Sequence, residues 1–499
     1  MLRRATTSIP ETSERTTMPQ HDPRVPAWVI GHNPNTLAEV RAFLDAGANA
    51  IEPDIQIDAA TGLVIVAHDA EPDSWTPLDL YLEGIREIAQ RDNRLTMIVF
   101  DSKVSGAGAG KVLLDGVHKY LQGLGLTVAY SVSSRDMRSF FTSMVPALGP
   151  KEAVMVDEDA DVNAVVKDLE AMGATRIAYG DGTNVMKAAP KVHREMDAAV
   201  FRRSITGRPQ FIETWVLADI STIADYFRAG VDGIIVDRST VRGAVAVLKK
   251  GDLARTRRLA NRGDNPFASS TAWYGVGIQT IDRRSAGTDA NVTVHLRGTK
   301  PGTIESTVDG YVKGRFESGH LDHVSVPAVV ADIGDATLVG LSHDATGNAP
   351  GWLPDWVEVT SPGRPPEYAS FGVWIDGSTG TVWRPLGRAE YTLAVHTSDQ
   401  SSAGTDADIY FELTGTKGSL ARRINGNAGS LFERGHHDTV KIVGNDIGNL
   451  LSLRLENDGS GLGPDWHVDE VRVTANTGVP SKLFNFNHWV NGGSSRIAT

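Results

Sequence analysis

The chain has 499 residues, 41% of them hydrophobic, a formal net charge of -12 and no cysteine. That length exceeds one ordinary domain, and the apolar content excludes wholesale disorder. The acidic balance, without any long basic run, argues against nucleic acid as a partner, and the lack of cysteine excludes disulfides and thiolate metal sites.

Residues 1–26 are polar, rich in Ser, Thr, Arg and Pro, and read as a disordered leader. They hold no apolar core of a secretory signal, and no run in the chain approaches the ~20 apolar residues of a membrane span. From residue 27 to about 250, short β-branched runs alternate with amphipathic stretches. The pattern predicts strands at 28–31, 50–55, 64–67, 96–100, 128–131, 153–156, 176–179, 211–217 and 233–236. Helices are predicted at 36–46, 78–91, 111–124, 160–172 and 220–229. Such alternation, with eight or nine strands, predicts a (β/α)8 TIM barrel.

Polar groups follow several of these apolar runs: His32, Glu52 and Asp54, His68, then Asp101 and Lys103. Strand ends of a parallel barrel converge on one mouth, where catalysis takes place. Side chains alternate along a strand, so Glu52 and Asp54 share a face, as do Asp101 and Lys103. Hard carboxylate oxygens suit Mg²⁺, which keeps waters for phosphate oxygens to displace. A lysine beside a bound phosphate stabilises developing charge, and imidazoles shuttle protons near neutral pH. Taken singly, each group has a bland reading as a solvated strand end, a surface ion pair or a packed histidine. Together they make a kit for splitting a phosphate ester, with Trp215 as core or as a wall for a cationic head group.

After Asn265 helical periodicity gives way to short alternating strands with Gly, Asp and Asn turns. This half repeats itself. Ser285-Ala286-Gly287-Thr288-Asp289-Ala290 recurs as Ser402-Ala403-Gly404-Thr405-Asp406-Ala407, and Phe316-Glu317-Ser318-Gly319 as Phe432-Glu433-Arg434-Gly435. The segment at Asp344 matches that at Asp458, and Trp352 matches Trp466. Each unit has the length and alternation of an antiparallel β-sandwich. The predicted organisation is therefore a leader at 1–26, a barrel at 27–268, sandwiches at 270–362 and 388–476, and a tail at 477–499. The tryptophans read as core. Oxygen-rich loops with Asp289, Asp344, Asp406 and Asp458 leave Ca²⁺ open as a ligand.

The order His32, Glu52-x-Asp54, His68, Asp101-x-Lys103, Trp215 resembles the glycerophosphodiester phosphodiesterase superfamily. Asn33 after His32, the block Phe100-Asp101-Ser102-Lys103 and the tail Asp264-Asn265-Pro266-Phe267 make it most similar to the sphingomyelinase D/phospholipase D branch. The resemblance implies one Mg²⁺ on Glu52, Asp54 and Asp101, His32 and His68 as the catalytic pair, Lys103 and Trp215 against substrate, and Asp73 in support. It also implies that the C-terminal tail plugs the barrel base. The chain departs from the family at Ala218, where an aspartate is expected (Asp219 comes one position late), at Asp237 in place of an asparagine, and in having no cysteines to brace the loop after His68. The repeats resemble PLAT (lipoxygenase-homology) domains, which implies contact with a lipid surface or a partner protein.

The activity so implied is head-group cleavage of a phospholipid, lysophospholipid or sphingomyelin, with water or the substrate's own hydroxyl as attacker; the latter yields a cyclic phosphate. The rivals are a glycerophosphodiesterase acting on soluble diesters and a catalytically dead binding module. Family habit implies secretion although no signal is visible, and cytoplasm stays open. Oligomeric state is not legible.

Overall fold

The computed structural model describes residues 22–499 apart from 69–74, 158–160, 183–188, 269–272, 311–313, 329–331, 349 and 427–429. Eight parallel strands close a barrel: β1 (Val25–His32), β2 (Ala50–Glu52, resuming as Asp54–Ile57), β3 (Met97–Ser102), β4 (Thr127–Val132), β5 (Glu152–Val156), β6 (Ile177–Gly182), β7 (Phe211–Trp215) and β8 (Gly233–Val236). Each pairs with the next, and β8 returns to β1 through Trp28↔Gly233 to Gly31↔Val236. Pro53 has no N–H for the ladder and breaks β2 in two. Inward side chains such as Trp28, Ile30, Met97, Val99, Met155 and Phe211 fill the barrel, while a larger apolar shell lies between staves and helices.

The helices carry the expected signals. In Leu37–Ala46, Thr36 and Glu39 form a capping box and Gly47, at φ 111°, ends the helix in the left-handed region. The helix Ala189–Thr206 was not expected, because its low amphipathicity hides its period. One predicted stave is something else. Val64–Val66 is antiparallel to Asp54–Ile57 and outside the barrel, since Asp58 turns the chain by accepting from Ala60 N and Thr61 N.

At the N-terminal end of the barrel the tail acts as a plug. Phe267 packs on Phe211 with centroids 6.4 Å apart, and Arg262 donates to the carbonyls of Leu95, Leu124, Ala89 and Asp92.

Two sandwiches of identical topology follow. Each has two four-stranded antiparallel sheets, in orders that match strand for strand between the repeats. Trp352 and Trp466 are fully buried core residues, and each donates at 3.0 Å to the matched threonine, Thr280 or Thr397. Two segments differ from the expected division. Glu367–Ser370 and Val382–Pro385, which lie between the two predicted sandwiches, are edge strands of the first. Lys482–Val490 and Ser495–Ala498, read as tail, complete the second. Few aliphatic residues and many polar ones mark these edge strands, so their alternation is weak in sequence.

The first sandwich is fastened to the barrel. Arg315, 2% exposed, makes paired hydrogen bonds to Asp197 at 2.8 and 2.9 Å and to Asp225 at 2.9 and 3.1 Å. Phe201 stacks on His323 at 4.1 Å, and Ser204 bonds Ser325 at 3.0 Å.

Candidate active site

The mouth at the C-terminal ends of the staves is built from adjacent register positions, His32↔Glu52 and Asp54↔Asp101. Glu52, Asp54 and Asp101 are 4%, 0% and 6% exposed, and one oxygen from each lies within 4.8 Å of the others. Among the described residues no other group of three acids or imidazoles converges in this way. Burial, then the neighbouring Asp101 and Asp54, pushes the Glu52 carboxyl well above its ordinary range. Burial also raises Asp101, against the pull of Lys103. The Lys103 ammonium bonds Asp101 and lies 3.6 Å from Asp54 Oδ1. Burial alone would depress it, but the three carboxylates outweigh that and hold it above its ordinary value.

Asparagines after His32 position this set. Asn33, at φ 53°, donates its N–H to Glu52 Oε2 at 3.0 Å, with its side-chain amide 3.2 Å from His68 Nδ1. Asn35 Nδ2 donates to Asp54 Oδ2 at 2.8 Å, and its Oδ1 accepts from Asp54 N at 2.9 Å. His68 Nδ1 lies 3.3 Å from Asp54 Oδ2, and Gln56 holds the His68 carbonyl at 3.0 Å. His68 reaches the mouth from the antiparallel arm, not from a stave. Asp54 Oδ1 and Asp101 Oδ1 are buried without a hydrogen bond among the described residues. Such buried hard oxygens in a cluster of three acids fit a divalent cation.

His32 Nδ1 lies 3.3 Å from Asp237 Oδ1. With the proton on Nδ1, as that contact favours, Nε2 is left as an acceptor. Asp237, noted from sequence only as a departure, is therefore the orienting partner of His32. Asp237→Asn is expected to lower kcat about tenfold with KM little changed and to flatten the pH–rate profile. A loss confined to KM would count against that role.

Trp215 lies against Gly182 and donates to the Asp157 carbonyl at 3.2 Å. Asp219 caps helix Ile220–Ala229 through Thr222 N at 2.7 Å. Asp73 falls outside the described residues.

Glu213 was missed by sequence reasoning, although a carboxyl inside the apolar run Phe211-Ile212-Glu213-Thr214-Trp215 is a signal. It is fully buried, two residues before Trp215 on the same face, and neither of its oxygens has a hydrogen-bond partner among the described residues. Burial and then Asp101 push its carboxyl up to about 8.

The sandwich aspartates do not converge as a ligand set among the described residues. The Asp344 carboxylate accepts from Asn291 and Thr346, and that of Asp458 from Asp408 N and Ser460. Asp289 and Asp406 stand beside Gly347 and Gly461 of the same loops. In the second sandwich Arg423 supplies the cation, bonding Asp408 and Asp282 and lying 3.6 Å from Asp458. The Asp344 and Asp458 carboxylates are thus engaged by local turns and, in the second sandwich, by one guanidinium.

A closed parallel barrel thus gathers three buried acids, two imidazoles and an ammonium at one mouth. Residues 22–267 match the family model described as dermonecrotic toxin SPH, and 274–382 and 391–499 match the PLAT/LH2 domain. The barrel is therefore similar throughout to the dermonecrotic toxin, or sphingomyelinase D, domain, and two PLAT domains follow it.

A dermonecrotic toxin of Loxosceles arizonica is 27% identical over 274 residues, 48% of this chain and 99% of the toxin. Lipoxygenase homology domain-containing protein 1 of Mus musculus is 31% identical over 223 residues, 40% of this chain. The chain spans only 11% of that mouse protein's length. A solved glycerophosphodiester phosphodiesterase of Parabacteroides distasonis is 14% identical, with a TM-score of 0.33, over 45% of this chain and 98% of that one.

Proposed function

We propose that the protein is a secreted, Mg²⁺-dependent phosphodiesterase that releases the head group of phospholipids, lysophospholipids or sphingomyelin. The observation that carries this reading is the buried carboxylate triad, with two orphaned oxygens, set between His32, His68 and Lys103. Glu52, Asp54 and Asp101 would hold the cation, which supplies Lewis-acid stabilisation of the phosphate charge. Lys103, beside the same acids, would stabilise charge on a non-bridging oxygen. One imidazole takes the proton of the attacking hydroxyl and the other protonates the leaving alcohol. Asn33 and Asn35 keep the acids and His68 in register, and Asp237 keeps His32 in one tautomer.

The toxin relatives support the reaction class and secretion; the paired PLAT domains support a lipid aggregate as substrate, since a soluble diester requires no surface contact. Head-group release from a lipid panel, with and without chelator, tests the reading. Chelation should abolish release and added Mg²⁺ restore it. Equal or faster cleavage of glycerophosphocholine than of lysophosphatidylcholine or sphingomyelin would replace it with a soluble-diester enzyme. Phosphorus NMR of the product distinguishes a cyclic phosphate, made by attack of the substrate's own hydroxyl, from an open monoester made by water.

A further inference from the structure

Beneath Trp215 lies a second polar side chain of the same stave. Glu213 and Trp215 project from the same face of β7 into the barrel, Glu213 one pleat deeper. Glu213 is as buried as Asp54, and both its oxygens lack hydrogen bonds among the described residues. A buried acceptor left without a donor costs about 1–3 kcal/mol, and more when charged.

Glycines on the neighbouring staves leave room for the stem of this side chain among others. A Cβ at Gly180 would lie 3.3 Å from Glu213 Cγ, and one at Gly233 would lie 3.2 Å from Glu213 Cβ. Asp101 acts on it electrostatically, which places it on the negative side of the catalytic mouth. The Lys103 ammonium is committed to Asp101 and Asp54.

An aromatic face draws a cation, and a buried carboxyl without hydrogen bonds draws N–H donors, whose positive charge in turn favours its ionised form. A primary ammonium offers both the charge and the hydrogens. A quaternary ammonium offers charge alone, and a glycerol head group offers hydroxyls without charge. Charge-assisted hydrogen bonds are roughly twice as strong as neutral ones, so the difference is large enough to select.

We propose that Glu213 is a specificity-determining residue which, under Trp215, selects phosphodiesters bearing a primary-ammonium head group over quaternary and uncharged ones. The proposal rests on the phosphodiesterase reading above.

The test compares kcat/KM of the full chain for lysophosphatidylethanolamine, lysophosphatidylcholine and lysophosphatidylglycerol, in wild type and in Glu213→Gln, which keeps the volume and removes the acidic group. Wild type should favour ethanolamine about tenfold or more, and the variant should lose that preference ratio, mainly through KM. An equal loss on all three lipids, or a wild type that prefers choline or glycerol, would overturn it.

If Glu213→Gln does not fold, the wild-type preference alone decides. If wild type cleaves none of the three, the phosphodiesterase reading fails and binding judges Glu213. Phosphoethanolamine should then raise the melting temperature of wild type and not of the variant, whereas equal protection of both proteins, or by glycerol phosphate, overturns the assignment.

Discussion

Asp54→Asn is expected to lower kcat/KM by about three orders of magnitude or more, on the scale of losing a principal charge-stabilising group. Asp54 is the most enclosed of the three acids and contacts Asn35, His68 and Lys103. Its charge also raises both Glu52 and Asp101. Removing it relieves that repulsion, so the metal-free variant should melt no lower than wild type despite its lost activity.

Added Mg²⁺ should raise the melting temperature of wild type, because a ligand of the folded state stabilises it by mass action. The variant should show little of that rise. Since Glu52 and Asp101 are raised in the fold, the folded chain binds protons there that the unfolded chain has released. Stability from this source is present at acid pH and lost as pH rises through the folded values, so the Mg²⁺ effect should grow from about pH 4 upward. Wild-type turnover in Asp54→Asn, or undiminished stabilisation by Mg²⁺, would remove Asp54 from the site.

Arg315→Leu should produce the largest loss of stability, about 3–5 kcal/mol for the barrel with its first sandwich. The substitution installs what the second repeat already has, since Leu431 stands at the matched position before Phe432. In the first repeat it leaves Asp197 and Asp225 buried, facing a side chain that neutralises neither. Most of the loss comes from those stranded carboxylates, not from the net worth of the pairs. A triple variant, Arg315→Met with Asp197→Leu and Asp225→Leu, should therefore recover most of it. Calorimetry on the full chain checks both. An Arg315→Leu protein that melts with wild type would mean that the sandwich is held by its other contacts, around Phe201 and Ser204.

Much of the barrel was legible because a buried stave is a short apolar run and the covering helices have a different period. The staves and helices so read carry His32, Glu52, Asp54, Asp101, Lys103 and Trp215. Val64–Val66 was misplaced because an apolar run does not say whether its partner is parallel. Helix Ala189–Thr206 and the edge strands of both sandwiches were missed because their apolar faces are narrow. Glu213 passed unnoticed since a lone carboxyl has no period at all.

Composition, period and repeat by themselves determined a barrel followed by two copies of one sandwich, because those properties depend on neighbours along the chain. Only the tertiary structure decided that Asn33 and Asn35 brace the acids, that Asp237 meets His32, and that Arg423 stands among Asp282, Asp408 and Asp458. Tertiary structure alone also joined Arg315 to Asp197 and Asp225 across 118 and 90 residues. Each of these depends on which polar atoms burial forces together, and pairings over such separations leave no local pattern to read.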